Sequence, residues 1–167
     1  NADPVELGFV ATLARPGGNI TGFTGIAYDI AGKRLELIKE SVPKASRMAI
    51  LMPSGMTGQA HSKVTEVAAR ALGVQLQLLE VLEPERLEDA FRAARQGRVE
   101  ALTVVGISFM NSHRPRIVNL TVNAKLPAIY SNADFVPDGG LMSYAADAPD
   151  QFRRAATYVD KILKGAK

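Results

Sequence analysis

Cysteine is absent from the 167 residues. That removes a disulfide, a thiolate nucleophile and a Cys-ligated zinc together, and it fits a cytosolic or a periplasmic setting equally. Tryptophan is also missing and tyrosine is scarce. Histidine is confined to His61 and His113. Neither has a second ligand at helical spacing or an acid completing a zinc motif, so both are read as solvated helix residues. No Gly-x-Ser-x-Gly elbow occurs, no Gly-Lys-Ser/Thr, and no dinucleotide fingerprint, since Gly18, Gly22 and Gly25 follow no strong strand. No reactive constellation remains, and the chain is read as a non-enzyme with no cofactor and no metal.

No apolar run approaches the ~20 residues a helix needs to cross a bilayer. Excess charge of one sign is lacking too: 20 Lys and Arg face 17 Asp and Glu, a net +3. The bases are scattered among acids with no interleaved aromatics, which argues against nucleic acid. The opening Asn1-Ala2-Asp3-Pro4 carries no export signal and reads as a cut end.

What is present is a regular alternation. Val5, Leu7, Phe9, Val10 and Leu13 predict a short helix over 4–14, ended by Pro16-Gly17-Gly18. Ile20 to Phe23 suits a short extended crossing. Asp29 then caps a helix with Ala31, Leu35, Ile38 and Val42 inward, stopped at Pro43. Met48 to Met52 is a strand covered on both faces. A helix follows with Ala60, Val64, Val67, Ala68 and Ala71 inward, ended by Gly73. Val74, Leu76 and Leu78 alternate with Gln75 and Gln77, the mark of an edge strand. The next helix, opened by Pro84, turns Leu87, Ala90, Phe91 and Ala94 inward. Its acids come early and its arginines late, as the helix dipole favours.

Ala101 to Val105 is again a wholly apolar strand. Ser112 and Pro115 begin a helix carrying Ile117, Leu120 and Ala124. Leu126 to Tyr130 and Leu141 to Tyr144 are two more strands, and Pro127 is tolerable only near the start of the first. Asp147 and Pro149 open a last helix with Phe152, Ala155, Ala156, Val159, Ile162 and Leu163 on one face. The alternation predicts a doubly wound α/β fold: a parallel five-stranded sheet of order 2-1-3-4-5 with helices on both faces.

Such sheets bind ligands beyond the carboxyl ends of their strands, near the switch point. Those loops are 53–58, 106–111, 131–135 and 145–148. No strand ends on the Asp that a phosphate-accepting receiver domain requires. Two readings of Ser54 to Gln59 stay open besides a simple polar turn. The segment suits an uncharged or zwitterionic ligand group, or the phosphate of a flavin in a flavodoxin-like domain. The two Asn-x-Thr matches, at Asn19 and Asn119, are read as chance, the second lying inside a predicted helix.

Several segments carry a resemblance. Ala14-Arg15-Pro16-Gly17-Gly18-Asn19-Ile20-Thr21-Gly22 is similar to the "ARPGGN-x-TG" segment of one family of solute-binding proteins that serve ABC importers. Residues 31–40 (AGKRLELIKE), 69–76 (ARALGVQL), 126–130 (LPAIY), 139–144 (GGLMSY) and 152–166 resemble the same family in the same order. The family, which includes tryptophan- and tyrosine-type binding proteins, looks like type I periplasmic binding proteins. Two α/β lobes there close over a small ligand.

The resemblance implies that 1–25 is the tail of a first lobe with a hinge crossing. It makes 26–146 the second, ligand-binding lobe and 147–167 a helix that packs on the first lobe. It implies a small polar solute, an amino acid or a relative, an ABC permease as partner, and a periplasmic or extracellular membrane-anchored location. Ser54, Thr57, Ser108, Phe109, Asn111, Asn132, Asp134 and Tyr144 are the expected ligand contacts. Asp134 takes the ligand's ammonium, and Phe109 and Tyr144 lie against its side chain. The apolar faces at both ends of the chain are expected to pair a fragment with itself or to fold these helices back onto the lobe. A ligand-sensing domain of a regulator has the same fold and is the remaining alternative.

Overall fold

The five residues Met48 to Met52 form the centre of strand β1 (Arg47–Pro53), and every one is buried. Alternate side chains leave a strand on opposite sides, so a run apolar at every position needs cover on both faces. Here Met48, Ile50 and Met52 face one helical layer while Ala49 and Leu51 face the other. The computed structural model describes residues 4–5, 7–22, 29–106 and 108–165; the side chains of Asp29, Thr57, Ser108 and Ala148 lie outside that description. The chain divides into two compact units, Tyr28–Ala145 and a pair of terminal segments, Asn1–Ala27 with Ala146–Lys167.

In the larger unit the order is α1 (Asp29–Ser41), β1, α2 (Met56–Ala71), β2 (Gln75–Val81), α3 (Leu87–Gln96), β3 (Ala101–Val104), α4 (Ser108–Ser112), α5 (Arg114–Asn123), β4 (Ala128–Tyr130) and β5 (Met142–Ser143). Single 3-10 turns stand at Pro84–Arg86 and Ala133–Phe135. All strand pairs are parallel and the order is β2-β1-β3-β4-β5, as the alternation predicts. Leu35 and Ile38 of α1 and Ala69 of α2 cover one sheet face. Leu87, Ala90, Phe91 and Ala94 of α3, with Ile117 and Val118 of α5, cover the other. Those four α3 residues are the ones its periodicity turns inward.

Strand β2 is an edge strand as expected, but its two faces share the burial. Val74, just before it, packs with α1 and α2, and Leu79 and Val81 pack with α3, while Leu78 is left exposed. Glu100 ties the amino end of β3 to that of β1. Its carboxylate accepts from the backbone N–H of Ser46 and Arg47 and from the Ser46 hydroxyl, which holds it below the usual carboxylate range.

Helix α2 departs from its predicted face. His61, Ser62, Thr65 and Ala69 are buried, whereas Val67 is exposed. The hydroxyls make this tolerable: Thr65 donates to the His61 carbonyl at 2.8 Å and Ser62 to the Gln59 carbonyl at 3.0 Å, so neither enters the interior unsatisfied. His61 is therefore not the solvated residue expected. His113 is half-buried at the head of α5, and its Nδ1 lies 2.9 Å from the Phe109 carbonyl. The expected loop over 106–111 is in part the short helix α4.

In the terminal segments the predicted helix over 4–14 does not form. The described residues there make turns, with Phe9 and Val10 both donating to the Pro4 carbonyl. Gly8 stands at φ +70°, the left-handed region that interrupts a helix. Residues 20–22 form no strand, and Phe23 lies outside the described residues. The last helix, α6 (Ala148–Leu163), does form, and the Asp147 carboxylate caps it by accepting from Asp150 N at 2.9 Å. Phe152, Val159, Ile162 and Leu163 on it are exposed. No described helix is long and apolar enough to cross a membrane.

Candidate functional site

Parallel strands bring their carboxyl ends to one edge, and four short connections meet there. After β1, Ser54 N donates to the Val81 carbonyl at 3.3 Å, which ties this turn to the end of β2. Gly55 takes φ +91°, a conformation side chains avoid, and α2 starts at the next residue. Gly58 lets the first turn of α2 press on the strand: a Cβ there would lie 1.9 Å from the Pro53 carbonyl oxygen. Ser54 is half-buried at this corner. The side chain of Thr57 lies outside the described residues.

The centre of the edge is Gly106, just past β3. Its N–H donates to the Ser131 hydroxyl. A Cβ on Gly106 would lie 2.9 Å from Asn111 Oδ1, 3.1 Å from Asn132 Cβ and 3.2 Å from Ser131 Oγ. Asn111, Ser131 and Asn132 thus converge on one glycine from α4 and from the end of β4. Asn111 Oδ1 is buried with no hydrogen-bond partner among the described residues. The Asn111 carbonyl accepts from Arg114 Nη1 at 2.9 Å, and Arg114 Nε pairs with Asp138 at 2.9 Å, so a second layer holds α4.

Asn132 Oδ1 accepts from Asp134 N at 3.0 Å and so opens the 3-10 turn 133–135. Asp134 is exposed two residues beyond. Phe135, wholly buried, stacks on Tyr130 at 4.5 Å between ring centroids. Tyr144 continues β5 by donating its N–H to the Tyr130 carbonyl, and its side chain is exposed. Phe109 is half-buried, packing on the core beside α3 and α5 and lying 5.3 Å from the His113 ring. The side chain of Ser108 lies outside the described residues.

Of the expected contacts, then, Asn111 and Asn132 share one spot, Ser54 stands at the β1 corner, Tyr144 at the β5 rim and Asp134 outside the Gly106 cluster. Sequence reasoning missed Ser131, whose only signal is its place after a strand. It also missed Arg34 and His61. Arg34 on α1 is 2% exposed and its Nη1 donates to the Tyr144 carbonyl at 3.2 Å. Burial pushes its guanidinium down to about 10, so it stays charged at neutral pH. Burial, with the Arg34 charge adding to it, pushes the His61 imidazole down to about 4, so it is neutral there. The signal for Arg34 was available, since 31, 34, 35 and 38 trace one helical stripe.

The edge offers hydroxyls, side-chain amides and backbone groups, with the exposed Asp134 carboxylate near them. No group of three or more His, Cys, Asp or Glu among the described residues could hold a metal. A separate open groove of about 300 Å³ lies on the outer helical layer between α3 and α5, lined by Glu88, Phe91, Arg92, Arg95 and Leu120 among others. It shares no residue with the strand-end cluster.

The family model described as ABC transporter substrate binding protein matches residues 1–167. This chain belongs to that family. Among its relatives, a tyrosine-binding protein of Clostridioides difficile (strain R20291) is 27% identical over 168 residues, 98% of this chain and 47% of that protein. The crystal structure of an ABC domain in complex with L-Trp from Streptococcus pneumonia is 25% identical with a TM-score of 0.81, over 99% of this chain and 57% of that one. A conserved domain protein from Vibrio cholerae shares the fold, at 23% identity and a TM-score of 0.81 over 98% and 55% of the two chains. This substrate-binding family member thus spans about half the length of the relatives it matches.

Proposed function

We propose that the protein to which this chain belongs captures a small polar organic solute, an amino acid or a relative, and delivers it to the permease of an ABC importer. The observation that carries the proposal is the family match over residues 1–167. The tyrosine-binding and L-Trp-bound relatives supply the solute class. In this reading Ser54, Thr57, Ser108, Phe109, Asn111, Asn132, Asp134 and Tyr144 make the ligand side of one lobe. Asp134 takes the ammonium through a charge-assisted hydrogen bond. Asn132 Oδ1 is spent on Asp134 N, which leaves the side-chain amide nitrogen to donate to the ligand. The exposed Tyr144 ring and Phe109 flank the solute's side chain.

Residues 1–25 belong, in the same reading, to the tail of a first lobe and the hinge crossing, 26–146 to the second lobe, and 147–167 to a helix that packs on the first. The exposed Phe152, Val159 and Leu163 support that last assignment, because a stripe of this kind is made for cover. A chain produced alone pairs with itself through these faces. The whole protein works outside the cytoplasm, in the periplasm or extracellularly as a membrane-anchored protein, and binds without turnover. Closure over the solute excludes water and strengthens each polar contact.

The test is calorimetric titration of the full-length protein with the twenty amino acids. Saturable binding of one or a few, with L-tryptophan or L-tyrosine among them and the solute recovered unchanged, is expected. Binding of none, or conversion of the solute, refutes the proposal.

A further inference from the structure

Arg34 is a charged side chain on a stripe otherwise built from Ala31, Leu35 and Ile38, all buried. An apolar residue would fill such a position without the desolvation cost of a guanidinium. Among its interactions, the guanidinium reaches across to the Tyr144 carbonyl. The partners are not arbitrary. Helix α1 is the first element of the 28–145 unit and β5 is the last. Tyr144 stands two residues before Ala146, where the chain passes into the other unit. Strand β5 is only two residues long, so its own ladder holds this exit weakly. Tyr144 is therefore fixed from two sides, by its N–H to the Tyr130 carbonyl and by Arg34 at its own carbonyl.

We infer that Arg34 is a positioning residue for solute capture: by tying the first helix of this unit to its last strand, it sets the point from which the chain leaves the sheet, and so the ease of ligand-driven closure. The inference rests on the solute-capture reading above. Arg34 does not touch the solute. It raises the fraction of molecules competent to close, and apparent affinity scales with that fraction. Its loss weakens every solute by one common factor and leaves the order of preference unchanged. A contact residue changes the order, and a residue of purely structural value changes the melting temperature alone.

The experiment uses the full-length protein as wild type, R34M and R34K. Each is titrated calorimetrically with L-tryptophan, L-tyrosine and L-phenylalanine, with a thermal melt to establish folding. R34M is expected to raise every measurable Kd by about tenfold, the scale of losing one hydrogen bond to a charged group, with the ratios among solutes kept within twofold. R34K, which can still donate to the Tyr144 carbonyl, is expected to recover most of the loss. A folded R34M within twofold of wild type overturns the inference, as does any change in the order of solutes. If R34M fails to fold, R34K and R34Q carry the comparison, and affinities equal to wild type in both overturn it. A wild type that binds none of the twenty amino acids sinks the solute class proposed above, and this inference with it; binding by wild type with unchanged variants sinks the inference alone.

Discussion

Replacing His61 by glutamine should flatten the acid side of this protein's stability curve. The imidazole is 5% exposed on α2, and burial together with the Arg34 charge holds it at about 4 against an ordinary 6.5. The unfolded chain takes up this proton as the pH falls through about 6.5, while the folded chain refuses it until about 4. Protons therefore favour the unfolded state throughout that window, and stability falls as the pH drops from about 6.5 towards 4. The full gap is worth about 3 kcal/mol, and the part between pH 7 and pH 5 is about 2 kcal/mol. The carboxylates held low by partners, Glu88 and Glu100, lose their stabilising effect only below the ordinary carboxylate range near 4.5, so they leave the window clear. Urea unfolding at pH 7, 6 and 5 measures the slope directly. Wild type should lose about 2 kcal/mol over that range and H61Q much less. Equal losses in both, or a flat wild type, would show that His61 is protonated in the folded state and would refute the reasoning.

Two further perturbations probe the packing that positions the site. Gly58→Ala drives a Cβ to 1.9 Å from the Pro53 carbonyl, a clash between two backbone segments that no rotamer relieves. A loss of about 3 kcal/mol or more is expected in urea unfolding, and a stable G58A would show that α2 can back away from β1. On the other face, Tyr130 OH and Thr121 Oγ1 are 3.0 Å apart and both buried. Tyr130→Phe should cost about 1 kcal/mol and Thr121→Val about 2, since the latter strands a phenol in the core. Their double mutant should recover about 1 kcal/mol of the sum in the same assay, and strict additivity would deny the bond.

The sheet was legible because its signals are redundant. A run as short as Met48–Met52, closed by Pro53, reads as a doubly covered strand, and α3 announces its buried face at 87, 90, 91 and 94. Helix α2 misled because small polar residues can be buried when the helix backbone absorbs their hydroxyls. Ser62 and Thr65 do so, and the apolar Val67 is the residue left outside. The segment 4–14 misled through Gly8, whose left-handed conformation outweighs five apolar residues at plausible spacing. At the candidate site, the strand-end rule put Ser54, Asn111, Asn132 and Tyr144 at the carboxyl edge of the sheet, where the structure has them. It could not reveal that Asn111 and Asn132 meet at Gly106, because that depends on α4 being helical and on the register of β3 with β4. Arg34 was overlooked for its charge, although its position on the stripe was visible.

On the proposed solute-capture reading, the crowding around Gly106 bears on how selectivity can drift. A Cβ at 106 would press on the Asn111 and Ser131 side-chain oxygens and on Asn132 Cβ together, so a substitution there shifts all three at once. If the solute-capture proposal holds, selectivity is easier to retune at the periphery, at the half-buried Ser54 corner or the exposed Tyr144 rim, than at Gly106. A library built to shift selectivity would be spent to best effect on those two positions, with 106 held constant.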